Sequence, residues 1–234
     1  MTFESSRYRE WLKHQKAPEE LIAESSQAIA DYDTIAASPK DTATPLERLS
    51  TAAMHSRFVV WDVALALLSR LAATLPAARD HILKMSHSSR LQIRQRSMLY
   101  IGGLPSDFCA ELVGRLLSDR SAKVRSYAAT KIECLDLTQL VPNLDGAADK
   151  ETDAQAQEIM QLNASLMRQG YVEYNEPFYS ISVRVSPGYR TSIRYFRGEL
   201  LTSESVQRIG VSKIRKSLSD SAVARANRRT NEGA

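Results

Sequence analysis

Only two cysteines, Cys109 and Cys134, occur in the 234 residues, too few for the disulfide framework of a small secreted domain. Both stand at apolar positions of predicted helices, so they read as small buried hydrophobes and point to a reducing, cytoplasmic setting. Histidine is scarce too: His14, His55, His81 and His87. His81 and His87 are six positions apart, which is not the i, i+4 spacing of a helical zinc pair. The patterns CxxC, HExxH, GxGxxG, the P-loop and GxSxG are all missing, so no catalytic residue, metal ligand or cofactor is expected. Long apolar runs are also lacking. The most apolar stretch, Phe58 to Leu75, is broken by Asp62 and Arg70, and a membrane span needs about 20 mostly apolar residues. The first residues, Met1 to Lys16, are charged and polar, unlike a signal peptide.

What is present is ordinary for a packed protein: 43% apolar and 25% charged residues, with only 7% aromatic. Frequent alanine favours helix. The net charge of +4 hides an uneven distribution. Residues 1–80 carry −2, residues 81–145 carry +3, residues 146–180 carry −4 and residues 181–234 carry +7. A basic C-terminal segment suits an acidic partner or nucleic acid, or a solvated tail.

Four regions are expected. Residues 1–44 read as two polar helices, Phe3–His14 and Pro18–Ala36, and a linker. Thr44-Pro45-Leu46-Glu47 has the form of a capped helix start. It opens a region of successive helices and short polar turns over 45–146. Gly146 to Lys150 reads as a hinge, followed by a helix–hairpin–helix unit to residue 221 and a mobile basic tail over 222–234.

Within the helical region the chain repeats itself at an offset of 31. Ile93-Arg94 aligns with Val124-Arg125, Ser97 with Ala128, Ile101 with Ile132 and Leu104 with Leu135. A fainter copy begins at Val60-Trp61, offset by 33. The clearest copy places Phe108, Leu112, Val113 and Leu116 on one helical face. Its second helix, capped by Ser121, carries Val124, Tyr127, Ala128, Ile132 and Leu135. Such pairs close their core by stacking on neighbours. The run Asp119-Arg120-Ser121-Ala122-Lys123-Val124-Arg125-Ser126-Tyr127-Ala128-Ala129 resembles the HEAT-repeat signature, over about residues 57–144. The resemblance implies a mostly α fold with a HEAT-like α-α superhelix, in which Asp119 and Arg125 brace the turns. Ser88 stands where the family prefers Asp. It also implies a scaffold rather than a reaction.

The C-terminal unit begins with a helix, Glu151–Arg168, whose expected buried face is Ile159, Leu162, Leu166 and Met167, with Gly170 as its C-cap. Phe178–Val185 and Tyr189–Phe196 alternate as strands do. A three-residue loop Ser186-Pro187-Gly188 with Gly188 left-handed would set Val185 opposite Tyr189. Then Tyr179, Ile181, Val183, Val185, Tyr189, Thr191, Ile193 and Tyr195 share the apolar face, which should lie on the preceding helix. Tyr171–Tyr174 is a candidate third strand, and Glu204–Leu218, interrupted by Gly210, a last helix.

The opposite hairpin face carries Arg184, Arg190 and Arg194 among serines. Arg184 and Arg190 would oppose one another, a destabilising contact that an acidic group between them would relieve. Arg90, Arg94 and Arg125, with Arg96, Arg120 and Lys123, gather at the repeat turns. The leading expectation is non-enzymatic protein binding through the helical groove, with the basic hairpin as second contact or homo-oligomer element. The first alternative is nucleic-acid binding by the C-terminal unit. The second rests on the resemblance, since one class of DNA glycosylase has a HEAT-like fold. Trp61-Asp62 offers the aromatic wall and carboxylate it would need, though adjacent helical residues point about 100° apart.

Overall fold

The structure is a computed structural model that describes residues 3–38, 42–174 and 180–231. It is mostly helical, with one small sheet unit near the C-terminal end. The chain divides into two compact units, residues 1–116 and 117–234. The division falls between the two helices of the second predicted pair.

Unit 1 contains α1 (Phe3–Lys13), α2 (Glu19–Ala37), α3 (Ala43–Ala53), α4 (Phe58–Ala72), α5 (Pro76–Ser86), α6 (Leu91–Arg96), a 3-10 turn at Ile101–Gly103, and α7 (Ser106–Leu116). The two N-terminal helices match their expected bounds within a residue. The third starts earlier than its motif suggests: Thr42 is the N-cap and no side chain caps it. Pro45 is tolerated inside the first turn because the N–H it lacks would have no helical partner there. The apolar run of α4 forms the centre of the unit. Val63, Ala64, Leu67 and Leu68 are fully buried, as are Ile29 of α2, Leu49 of α3 and Ile82 and Met85 of α5, the helices that pack on α4. Each large side chain removed from water contributes about 1.5–3 kcal/mol. In α7 all four expected core residues, Phe108, Leu112, Val113 and Leu116, are buried.

Unit 2 contains α8 (Ala122–Cys134), a 3-10 turn at Thr138–Leu140, α9 (Val141–Ala148), α10 (Ala154–Gln169), β1 (Tyr171–Tyr174), β2 (Ser180–Ser186), β3 (Tyr189–Ile193), β4 (Tyr195–Phe196), β5 (Glu199–Leu200), α11 (Ser203–Ile209) and α12 (Val211–Asn231). The expected hinge at Gly146 is instead the C-terminal half of α9. Helix α10 is capped by the Asp153 carboxylate, which accepts from the Ala156 N–H at 2.9 Å. It ends at Gly170 in the left-handed region, φ 79°. Its buried face is rotated from expectation: Ala156, Met160, Asn163 and Ala164 join Leu166, while Ile159, Leu162 and Met167 are only half-buried. Small residues there let neighbouring helices approach, so bulk alone misplaced the stripe.

The sheet is antiparallel in the order β1-β2-β3, and Tyr171–Tyr174 is its third strand. The expected register holds through Ile181–Ile193, Ser182–Ser192, Val183–Thr191 and Arg184–Arg190. The turn differs. Ser186 pairs with Tyr189 and the register shifts between Arg184 and Ser186. A bulge at Val185 therefore absorbs the residue that a longer loop would have held. Gly188 is left-handed, φ 67°. Phe178 and Tyr179 lie outside the described residues.

The apolar side of the sheet does not rest on α10 as the sequence suggests. Tyr171, Ile181 and Val183 form one cluster with Phe196, Leu201, Val206 of α11 and Ile214 of α12. The last helical region is two helices, separated by Gly210 at φ 88°. The second continues to Asn231 through most of the expected mobile tail, whose last three residues lie outside the described range.

Candidate functional site

The repeat visible in the sequence recurs as a hydrogen-bonding unit at three turns. Before α8, the Asp119 Oδ1 accepts from the Ser121 N–H at 2.8 Å. Arg125, one turn into the helix, donates from Nη1 to the Asp119 carbonyl at 2.7 Å. Before α6 the same positions, 31 earlier, make the same contacts: Ser88 Oγ accepts from the Arg90 N–H at 3.2 Å. Arg94 Nη1 donates to the Ser88 carbonyl at 2.9 Å. Serine thus replaces aspartate as the turn acceptor, with a longer bond and no charge.

Before α4, offset by 33, His55 Nδ1 accepts from the Arg57 N–H at 3.2 Å. Trp61 occupies the position that Arg94 and Arg125 hold elsewhere, so this turn lacks its own guanidinium. Arg96 supplies one from α6. Its Nη1 donates to the His55 carbonyl at 2.7 Å, and its guanidinium carbon lies 4.1 Å from the Trp61 ring centroid. Burial, and then the nearby Arg90, push the Arg96 pKa below its ordinary value. Arg90 itself donates to the Met54 carbonyl at 3.2 Å.

An exposed aromatic ridge adjoins this turn. Phe58 is 58% exposed and meets Trp61 edge-to-face at 5.2 Å between centroids. Tyr100, 43% exposed, donates its hydroxyl to Asp62 at 2.6 Å. Trp61 and Asp62 are therefore each engaged by a different partner, Arg96 and Tyr100. Arg57 and Arg90 flank the ridge without a carboxylate partner among the described residues.

Of the seven residues singled out by sequence, the four in unit 2, Arg125, Arg184, Arg190 and Arg194, separate into braces and surface groups. Arg125 is held by Glu151 as well as Asp119, with Nε to Oε2 at 2.6 Å, and the Glu151 side chain is 1% exposed. That bond holds the Glu151 carboxyl down to about 2 despite burial. Arg184 does lie opposite Arg190, and the acidic relief comes from within the chain. Arg184 Nε donates to Glu133 Oε1 at 2.8 Å and Nη2 to Asp136 at 2.9 Å. The same Glu133 oxygen accepts from the Gly188 N–H at 3.3 Å, tying the hairpin turn to the end of α8. Burial pushes the Arg184 pKa down, but these hydrogen bonds raise it overall. Arg190 and Arg194 remain exposed on β3 and just beyond it.

Phe58, Tyr100 and Glu133 are the important positions that sequence reasoning missed, and Arg96, named there only as one of a basic cluster, has a role it did not assign. Glu133 carried no signal, because its counterpart one repeat earlier is Gly102, which has no side chain to brace anything. Arg96 carried one: Trp61 falls at an arginine position, so some other donor had to satisfy that carbonyl.

No family model, curated protein or solved structure matches this chain. Among the described residues no helix is long and apolar enough to cross a membrane, and no group of His, Cys, Asp and Glu is placed to hold a metal ion.

Proposed function

We propose that the chain is a HEAT-like, non-enzymatic protein-binding module whose contact surface is the aromatic ridge of unit 1. Three turns with one bonding pattern support the repeat reading. The observation that carries the binding reading is Phe58: a large apolar side chain left exposed on a helix whose valines and leucines are all buried. Its companions Trp61, Tyr100, Arg57 and Arg90 are the residue types that dominate binding energy at protein interfaces. The arginines favour an acidic partner.

The test is capture from nuclease-treated native lysate, followed by affinity measurement on the purified partner. Phe58→Ala should weaken binding about 30-fold, as loss of ~2 kcal/mol at a hot spot does. Arg90→Glu should weaken it too, chiefly through slower association. A captured protein that ignores both changes, or none captured at all, would reject the proposal.

A second reading is nucleic-acid binding by unit 2. Arg190 and Arg194 are exposed beside Tyr189 and Tyr195, which are 50% and 61% exposed. Aromatic faces beside cations suit single strands. Affinity for single-stranded RNA and DNA must then fall steeply as salt rises.

A further inference from the structure

A cleft of about 510 Å3 opens in unit 1 among α1, α4 and the segment 99–103. Such a volume is within the range of small-molecule sites, roughly 300–1,000 Å3. Its walls are Tyr8, Ala66, Ala73, Leu99 and Tyr100, with Arg7, Arg70 and the glycine pair Gly102-Gly103 also bordering it. Burial orders these groups from mouth to floor. Arg7 and Arg70 are exposed, Tyr8 and Leu99 are half-buried, and Ser69 is 5% exposed.

Two features separate this cleft from a passive surface fold. Ser69 borders the cleft, and its buried hydroxyl has no hydrogen-bond partner. A buried hydroxyl left unpaired costs about 1–3 kcal/mol, and a helical serine ordinarily bonds the carbonyl one turn back. Neighbouring serines in the same fold do so: Ser25 donates to the Leu21 carbonyl at 2.7 Å. The second feature is charge. Arg7 has no ion-pair partner among the described residues. Arg70 has one, Glu4 at 3.2 Å, which leaves it further donors. The Tyr8 phenol stays protonated well past neutrality, its pKa raised by burial and then by Asp62 and Glu4, so it is available as a donor.

We infer that this cleft binds a small organic anion, its acid group between Arg7 and Arg70, its apolar body between Tyr8 and Tyr100, and a terminal acceptor on Ser69. Serine and tyrosine hydroxyls at the inner end suit a ring hydroxyl or carbonyl, and arginine forks at the mouth suit carboxylate or phosphate monoester. The site is distinct from the aromatic ridge, although Tyr100 borders both.

The test is calorimetric titration of the full chain with 4-hydroxyphenyl phosphate, 4-hydroxybenzoate and inorganic phosphate. One of the two organic anions should bind saturably, at least tenfold tighter than inorganic phosphate, and which one does so identifies the acid group. Arg7→Gln should weaken that binding about tenfold, and Ser69→Ala about fivefold, the range for one hydrogen bond. Ser69→Ala should leave the thermal midpoint unchanged or higher, because the hydroxyl has no partner to lose. Gly103→Leu provides an independent block: Gly103 borders the cleft and a Cβ there meets nothing within 4 Å, so a leucine is accommodated without a clash and should obstruct binding. Absence of saturable binding by either organic anion would overturn the inference. So would binding that survives Gly103→Leu, or inorganic phosphate binding equally well.

Discussion

Arg96 does for the first turn of unit 1 what Arg94 does for the next from inside its own helix. The His55 carbonyl needs a donor, Trp61 cannot give one in that direction, and Arg96 reaches it while lying on the indole face. Removing it should therefore show in two ways. Arg96→Ala should destabilise unit 1 by about 2 kcal/mol, combining a charge-assisted hydrogen bond and a cation–π contact. The native Trp61 emission should also shift to the red as its face meets water. Arg96→Lys should recover little, because a point charge on a flexible stem cannot serve a carbonyl and a ring face together. Urea denaturation followed by tryptophan fluorescence measures both effects. A neutral Arg96→Ala would mean that water serves the His55 carbonyl equally well. The Cys109 thiol illustrates the opposite case, in which burial removes chemistry, whereas Cys134, expected to be buried too, is only half-buried. Cys109 donates to the Ile101 carbonyl at 3.2 Å, and burial pushes its pKa up to about 11. It should react with a thiol reagent at neutral pH only after denaturation.

At the scale of elements, two glycines end or turn the backbone in the left-handed region, and their surroundings rank the cost of replacing them. At Gly170 a Cβ would sit 2.8 Å from Arg215 Nη2 and 3.1 Å from Val211 Cγ1. Arg215 also donates to the Arg184 carbonyl at 2.8 Å, so moving it loosens α12 from β2. At Gly188 the nearest atoms, those of Cys134, lie at an ordinary 3.6 Å. Gly188→Ala should therefore cost only the left-handed backbone penalty of about 1–2 kcal/mol. Gly170→Ala should cost about 1 kcal/mol more, on the scale of overpacking. Chemical denaturation followed by ellipticity gives the ranking, and the reverse order would contradict the packing described. These elements also mark how far the sequence could be read. Strict alternation around Pro187-Gly188 set the pairing of Arg184 with Arg190, because a slip would reverse every face. Gly170 was legible as a cap because the apolar period stops before it. The side on which the sheet packs was not legible: Ile181 and Val183 state that a partner exists, and α10 and α12 both offered apolar stripes. Nor was the Glu133 brace, since a buried acid inside an apolar helix face is known only by what it meets. Exposure of Phe58 was hidden likewise, because it opens the most apolar helix of the chain.

For the whole molecule, the division into two compact units makes one experiment decisive. Both tryptophans, Trp11 and Trp61, belong to unit 1, so their emission reports that unit alone, while ellipticity reports both. The buried pair Arg125–Glu151 belongs to unit 2. Its sign follows from linkage. The folded pKa of Glu151 lies at about 2, below its ordinary value of 4.5. The pair's contribution is therefore full above the ordinary value and is lost as pH falls toward the folded one. Acidification from neutrality through that window should lower the ellipticity midpoint of unit 2 before tryptophan emission changes, and the two probes should separate. Glu151→Gln should reproduce the separation at neutral pH. It would destabilise unit 2 by about 3 kcal/mol, since it leaves Arg125 without its buried counter-charge, and should flatten the pH dependence in the same window. Coincident transitions by both probes, shifted together by Glu151→Gln, would show instead that the units unfold as one cooperative body.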